Sequence, residues 1–491
     1  MALAAFLAHA WQALSGAYLS YVSGIWLALG RDLSAGVFYR DLIGPLGYGG
    51  TRYFPLFFTI IGGLLTAGIP PLAAGWTASA IAALILATGL ARVGGALGAP
   101  RSMQWLLAAC AIAPYFVQQT LFEVRADVIA AGLNLWGLAS IIGVWRDETN
   151  PRPRVGAAAV WFTLAFAAKI TSLSVPACVF VALVLSRRVP VAVRFAAQLA
   201  VGLVLFFGVV ELASAGRALE SWRACMFAGS SEGGTVTAML SGDFIRFASF
   251  SHLLTVLLVL DVAVLVAAFL AGARALWLPA ALFGGVTVST ALTLSSPGTI
   301  PSNQIIEWLQ MSFVVLVVLA ASRPCLTRAL SAVLAVIVVW MAVQDVVRVR
   351  HLLDTRAERT TVAVRNDVAR FVGAASTPVL AESSLWQVLA GQQAYLLDPF
   401  ALRVVMMSRR DIARDLEQKI DAHYFSSVIF QVDPTTPQGR GYYEHVNFGW
   451  PITARILEQY RFDSRPAHDV WIYVPKATPA PPTEPLAPPP R

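Results

Sequence analysis

The sequence predicts an α-helical, polytopic membrane protein carrying a small α/β extracytoplasmic domain at its C-terminal end. Three observations predict it. Of 491 residues, 57% are hydrophobic and 13% charged, about half the charge fraction of an ordinary soluble chain, and the mean hydropathy is +0.66. Apolar runs close to the roughly 20 residues that a spanning helix needs recur up to residue 343. Beyond residue 345 charge becomes dense, and short β-type runs ("PVLAE", "AYLLD", "SSVIFQVD", "DVWIYVP") alternate with helical ones ("SSLWQVLAG", "RRDIARDLEQKIDAHYF", "PITARILEQY").

The apolar runs place helices at 4–22, 54–70, 73–91, 103–119, 125–145, 155–168, 172–186, 192–213, 249–271, 276–294, 305–322 and 327–343, which is about 11–13 transmembrane helices. No small-residue cleavage site follows the first run, so it reads as a retained helix. Residues 1–345 form the transmembrane domain with an external loop at 23–53, residues 346–476 the α/β domain, and the proline-rich tail 477–491 a disordered end. The positive-inside rule puts Arg146, Arg152, Arg154, Arg187, Arg188, Arg194, Arg274, Arg323 and Arg328 on the cytoplasmic side. "FEVRAD", Lys169, the loop 214–248, "SSPGTIPSNQ" and everything after residue 345 then lie outside. The first third resists this alternation. With loop 23–53 outside, strict counting puts "FEVRAD" inside, so one segment before residue 120 is re-entrant or miscounted.

Several function classes are excluded. The net charge of +8 is spread over short loops, which suits topology and anionic headgroups and leaves no basic face for nucleic acid. The four cysteines lack CxxC spacing and the six histidines lack HExxH, so neither a disulfide framework nor a metal site is indicated. The α/β segment contains no GxGxxG and no GxxxxGK[ST].

Polar chemistry concentrates in the first loop. In "YVSGIWLALGRDLSAG", Val22, Ile25, Trp26, Leu29 and Leu33 share a helical stripe while Arg31, Asp32 and Ser34 fall off it. That pattern fits a helix lying in the membrane interface with a solvated charged edge. Asp41 follows Tyr39 and Arg40 and precedes a turn rich in glycine (Gly44, Gly47, Gly49, Gly50), after which Thr51, Arg52 and Tyr53 lead into a helix. A carboxylate at a low-dielectric boundary beside arginines can stay ionised as a general base. Glycines admit a bulky ligand to the backbone, and tyrosines present flat surfaces suited to sugar rings. The structural alternative is an Arg–Asp pair that holds a folded loop.

Glu123, Arg125 and Asp127 head another helix. Acids there complement the helix dipole; Arg125 opposes it and is suited to a bidentate phosphate. Lys169, in "FAAKITSLSVP", either snorkels at a hairpin tip or meets the same phosphate. Asn303 and Glu307 sit one turn apart at a helix start, where capping accounts for Asn303 and Glu307 lies deeper. Glu211 and Asp261 are ionisable groups in or beside apolar runs, and Trp222, Arg223 and Asp243 are candidate lid residues in loop 214–248.

Taken in order, the interface helix, "GVFYRD", "GYGGTRYFPLFF", "RAD", "AAKITSL" and "NQIIEW" resemble the membrane glycosyltransferases of the GT-C superfamily. Within it the likeness is to the group of dolichyl-phosphate-mannose protein mannosyltransferases and bacterial aminoarabinose and galacturonic acid transferases. "TRYFPLFF" is similar to their tyrosine-then-proline start of the second helix, with Phe54-Pro55 in place of Pro-Pro. The resemblance covers the membrane part; "VLAESSLWQVLAGQQAYLLDPF" fits relatives with a C-terminal soluble module.

This resemblance implies inverting transfer of a sugar from a polyprenyl-phosphate donor to an acceptor lipid, glycan or protein, at the outer face of the bacterial cytoplasmic membrane, with the C-terminal domain periplasmic. It implies an external-loop aspartate as base, Asp41 first and Asp32 second, and Arg125 with Lys169 on the donor phosphate. Arg40, Arg52, Tyr53, Asp127, Asn303 and Glu307 are then substrate contacts. No cofactor is expected; some relatives use a divalent cation, but the ligand cluster here is too sparse to predict one. One departure stands out: many relatives carry an acid just before the glycine of the interface helix, where this chain reads Val22-Ser23-Gly24.

Two rival readings are open. A transporter or flippase of lipid-linked or polar substrates predicts ionisable residues at mid-membrane and symmetric halves. A non-catalytic membrane subunit would leave Asp41, Arg125 and Lys169 far apart, whereas glycosyl transfer predicts that the three converge.

Overall fold

The computed structural model describes residues 18–146, 152–229, 277–294, 301–322, 327–354 and 362–476, with isolated positions besides. The expected spans 4–22 and 249–271 lie largely outside these residues, and Asp243 and the tail 477–491 wholly so. In chain order the membrane part comprises α1 (Tyr21–Ser34), a two-stranded ribbon β1 (Ile43–Gly44) and β2 (Gly47–Tyr48), α2 (Pro55–Thr66), α3 (Pro71–Ala96), α4 (Arg101–Ile112), α5 (Tyr115–Phe122) and α6 (Asp127–Arg146). It continues with α7 (Arg152–Ala168), α8 (Ser174–Leu185), α9 (Val189–Ser214), α10 (Arg217–Gly229), α11 (Trp277–Leu294), α12 (Pro301–Gln304), α13 (Ile306–Ser322) and α14 (Thr327–Asp354). Among the described residues, helices α3 and α9 are each long and apolar enough to cross a membrane, and α4 with α5, bent by 62° at their junction, would make a third. The other apolar helices have described apolar stretches of 10–17 residues. The bend falls at Pro114, which has no N–H to continue the ladder. The carbonyl of Ala113 is satisfied instead by Gln118 Nε2 at 2.9 Å.

The packing of α2 removes the alternation conflict. Tyr53, just before α2, stacks 4.5 Å from Trp26. Along α2, Phe57 meets Trp26 edge-on at 5.3 Å, and Gly62 is pressed against Leu33 and the Gly30 carbonyl. After a turn at Gly68 (φ 84°), α3 begins with Gly75 against Leu27 and Val124. The chain thus leaves α1 at Trp26 and returns to it at Leu27, so α2 makes no net crossing. The expected span 54–70 is corrected accordingly: its 12 helical residues reach only about 18 Å at 1.5 Å per residue. With α2 lying along α1, the α3 and α4–α5 hairpin brings residues 123–127 back to the level of α1. Ser23 Oγ donates to the Glu123 carbonyl at 2.7 Å, closing that level.

The C-terminal unit contains α15 (Val362–Gly373), β3 (Val379–Ala381), α16 (Leu385–Leu389), α17 (Pro399–Ser408), α18 (Arg410–Asp421), β4 (Ser427–Phe430), α19 (Pro437–His445), α20 (Trp450–Gln459), β5 (Tyr460–Ala467) and β6 (Val470–Pro475). Its sheet runs β3-β4-β6-β5. β3 and β4 are parallel, with Leu380 opposite Val428; β4 and β6 are antiparallel, with Ile429 opposite Ile472. β3, β4 and β6 present buried apolar residues to helices on the two faces, as a covered sheet requires. "AYLLD" does not enter this sheet as expected. Leu396 instead bridges Tyr48 in the first loop, with Tyr48 N–H donating to the Tyr395 carbonyl at 2.8 Å and Leu397 N–H to the Tyr48 carbonyl at 3.0 Å. β5, mostly exposed and without apolar alternation, takes the sheet edge.

This docking changes the setting of α1. Its polar side faces the C-terminal unit: Gly24 abuts Leu385, and Arg31 Nη2 donates to the Gly391 carbonyl at 2.6 Å. Asp32, expected on a solvated edge, is 2% exposed. A soluble domain covers the face that the interface reading gave to water.

Candidate functional site

Helix ends α5–α6, α7, α12 and α13 converge on one charged cluster. Lys169 Nζ lies 2.6 Å from Asp127 Oδ1 and donates to Gln304 Oε1 at 2.9 Å. Asn303 Nδ2 donates to the same Asp127 oxygen at 3.1 Å. Arg125 pairs with Glu123, Nε to Oε2, at 2.6 Å. Glu307 Oε1 accepts from Ser172 Oγ at 2.5 Å and from Asn134 Nδ2 at 3.1 Å, tying α13 to α6 and to the short 3₁₀ turn after Lys169. The positive φ of Val124, 55°, sets the tight turn that brings Glu123 and Arg125 together. Lys169 is therefore held by a carboxylate and an amide rather than snorkelling.

A second group lies near this one. Arg52 and Tyr53 are half-buried. The Arg52 guanidinium stacks 4.2 Å from the Phe400 ring centre and 5.9 Å from that of Tyr53, favourable cation–π placements. Among the described residues Arg52 makes no ion pair. Asp398, one residue before α17, is 1% exposed. Its Oδ1 accepts from Ala401 N–H at 3.0 Å, an N-cap; its Oδ2 is buried without a hydrogen-bond partner. Burial pushes the Asp398 carboxyl above its ordinary value, with Arg52 pulling the other way. The charges of Arg125, Arg52 and Asp398 all bear on the hydroxyls of Tyr21 and Tyr53, which link the two groups electrostatically. Asp398 was not singled out by the sequence. "LLDPF" carries only the signal of a helix start, an acid before proline.

The two aspartates of the first loop fall elsewhere. Asp32 is gripped by Arg40, whose Nη1 donates to the Leu46 carbonyl at 3.0 Å and to that of Ala394; Gln393 Nε2 adds a contact to Asp32 at 3.3 Å. This is the fold-holding Arg–Asp pair. Asp41 is exposed, with its carboxylate over Gly44 in its own turn. Of the three groups expected to converge, Arg125 and Lys169 share Asp127, while no described hydrogen bond or ion pair joins Asp41 to them. Trp222 is buried, stacked 4.3 Å from Phe54, with Nε1 donating to the Tyr53 carbonyl at 3.2 Å, so it braces the approach to α2. Among the described residues no group of three or more His, Cys, Asp or Glu side chains could hold a metal.

The same architecture occurs in solved membrane-protein structures. The chain superposes on ArnT from Cupriavidus metallidurans bound to undecaprenyl phosphate with a TM-score of 0.59 at 11% identity, covering 96% of this chain and 97% of that one. It superposes on the archaeal oligosaccharyltransferase AglB from Archaeoglobus fulgidus, in complex with an inhibitory peptide and a dolichol-phosphate, with a TM-score of 0.51 at 11% identity, covering 93% of this chain and 70% of that one. No family model and no curated protein sequence matches the chain. The likeness is one of fold: the chain shares the architecture of these two structures over more than nine-tenths of its length.

Proposed function

We propose that this protein transfers a sugar from a polyprenyl-phosphate donor to an acceptor lipid, glycan or protein, with inversion, at the outer face of the bacterial cytoplasmic membrane. The observation that carries the reading is Arg52, a half-buried cation without a carboxylate partner among the described residues, lying in the same electrostatic field as Arg125. Two guanidiniums at one end of an apolar helix bundle suit a lipid phosphate. They meet the charge that develops on the leaving group, and the bundle surface takes the hydrocarbon chain.

The donor carries its own leaving group, so no nucleotide-binding fold is required. In this reading Arg52 and Arg125 hold the phosphate. Lys169 fixes Asp127 and Gln304, and Tyr53 offers its ring to the sugar. The presence of undecaprenyl phosphate in ArnT and dolichol-phosphate in AglB supports the lipid class. The gathering of these charged residues at helix ends, rather than along helix middles, favours transfer over transport.

The test is transfer from undecaprenyl-phosphate-linked sugars by the purified protein in lipid, with Arg52→Ala and Arg125→Ala beside it. Each alanine variant is expected to lower kcat/KM by about a hundredfold, the usual loss for one electrostatic stabiliser. Wild-type protein that binds no undecaprenyl phosphate and transfers no sugar from any such donor overturns the reading.

A further inference from the structure

We propose that Asp398, supplied by the C-terminal domain, is the carboxylate that takes the proton of the acceptor hydroxyl, so that this domain completes the active site. The proposal rests on the glycosyl-transfer reading above.

The need for such a residue is set by the membrane half. Of the carboxylates in the charged cluster and at the end of α1, Asp32 has both oxygens on Arg40, Asp127 is taken by Lys169 and Asn303, Glu123 by Arg125 and by Gln119 Nε2 at 2.8 Å, and Glu307 by Ser172 and Asn134. A carboxylate engaged by a cation is a weak base, because the pairing favours its charged form. Asp41 is unengaged, but water solvates it.

Asp398 differs from all of these. One oxygen is fixed by the helix start it caps, which leaves the other, Oδ2, buried and unpartnered. It lines a small cavity with Leu42, Tyr48, Gly50, Leu402 and Val405. Arg52, near enough to act on its charge, makes no ion pair with it. A buried carboxylate oxygen left without a donor beside a cavity is costly to keep unless a ligand uses it.

The step balances. The acceptor oxygen forms its bond to the anomeric carbon as Asp398 Oδ2 takes the hydroxyl proton. The bond from that carbon to the phosphate oxygen breaks, and its electron pair leaves with the lipid phosphate, whose charge Arg52 and Arg125 meet. Burial helps a base here, since it raises proton affinity toward working pH.

Asp398→Asn tests this cleanly, because asparagine keeps the N-cap acceptor and the shape. Wild type, Asp398→Asn and Asp41→Asn are compared in lipid for undecaprenyl phosphate binding, for transfer from undecaprenyl-phosphate-linked sugars, and for the pH profile of transfer. Asp398→Asn is expected to lower transfer by about a hundredfold or more, to abolish the acidic limb of the profile, and to bind undecaprenyl phosphate as tightly as wild type or tighter, since a competing anion is gone. A merely structural role would not move the limb or tighten phosphate binding. Near-wild-type transfer by Asp398→Asn, or an unchanged acidic limb, overturns the proposal while the glycosyl-transfer reading stands. A silent wild type removes both. Should Asp398→Asn melt early, Asp398→Ser keeps a capping hydroxyl, and its near-wild-type transfer overturns the proposal equally.

Discussion

Arg40 holds Asp32 with two nitrogens, Nε on Oδ2 at 2.6 Å and Nη2 on Oδ1 at 2.5 Å, where neither side chain is more than 3% exposed. The same guanidinium reaches the carbonyls of Leu46 and Ala394, so the pair fastens α1, the first loop and the C-terminal domain together. Removing the acid alone strands a buried cation. Asp32→Ala is expected to destabilise the protein by about 3–5 kcal/mol, whereas replacing both partners, Asp32→Leu with Arg40→Met, costs much less. Thermal unfolding of the two variants in detergent checks this. If Asp32→Ala unfolds like wild type but loses transfer, Asp32 belongs to the chemistry and not to the scaffold.

Gly24 lies where α1 packs against the backbone of the C-terminal domain. A Cβ there would lie 2.5 Å from the Leu385 backbone nitrogen and 3.0 Å from Ser384 Oγ. Backbone cannot move aside as a side-chain tip can, so Gly24→Ala is expected to cost about 1–3 kcal/mol and to loosen the domain from α1. Hydrogen exchange at the backbone amides of α16 reads the loosening directly. Unchanged exchange would mean that the two units are held elsewhere.

These contacts explain what the sequence could and could not disclose. The apolar helices were legible because burial in lipid demands long runs whatever their neighbours. The failure of α2 to cross was not: "FPLFFTIIGGLLTAG" is as apolar as its neighbours, and only the fit of Gly62 against Gly30 and Leu33 keeps it beside α1. The convergence of Arg125 and Lys169 followed from their common position at helix ends. Asp398 stayed hidden because its role comes from a contact between segments more than 340 residues apart, such as Arg40 with Ala394 at a separation of 354. The run "AYLLD" looked like a sheet strand for the same reason. Its apolar residues do pair with a strand, but that strand is Gly47–Tyr48 in the first loop.

Glu382 anchors the interior of the C-terminal domain. Fully buried, it accepts from Tyr442 OH at 2.8 Å and Asn447 Nδ2 at 2.7 Å on Oε1, and from Tyr443 OH and Gln431 N–H, both at 2.7 Å, on Oε2. Each oxygen therefore faces one donor that cannot become an acceptor. A glutamine amide must turn its NH₂ against either Asn447 or Gln431, so Glu382→Gln is expected to destabilise the domain by on the order of 3 kcal/mol, two lost charge-assisted bonds at the low end. The midpoint of chemical denaturation, followed by tryptophan fluorescence, measures it. An unshifted midpoint would mean that the network re-forms around a neutral side chain.

Asp398 gives the stability of the protein a definite pH dependence. Its carboxyl sits above the ordinary aspartate value because it is buried, and Arg52 offsets this only in part. The folded chain thus keeps a proton that the unfolded chain has released. The resulting stabilisation is complete below the ordinary carboxyl range, about pH 4, and is lost as pH rises through the raised value. Asp398→Asn carries no proton to lose. The melting temperature of the variant should therefore climb relative to wild type as pH is raised above the ordinary carboxyl range. Parallel curves would mean that the carboxyl titrates alike in both states and is not desolvated. A variant that gains stability at neutral pH while losing transfer would mark Asp398 as a residue held ionised at the expense of the fold, as expected of a working base rather than a cap.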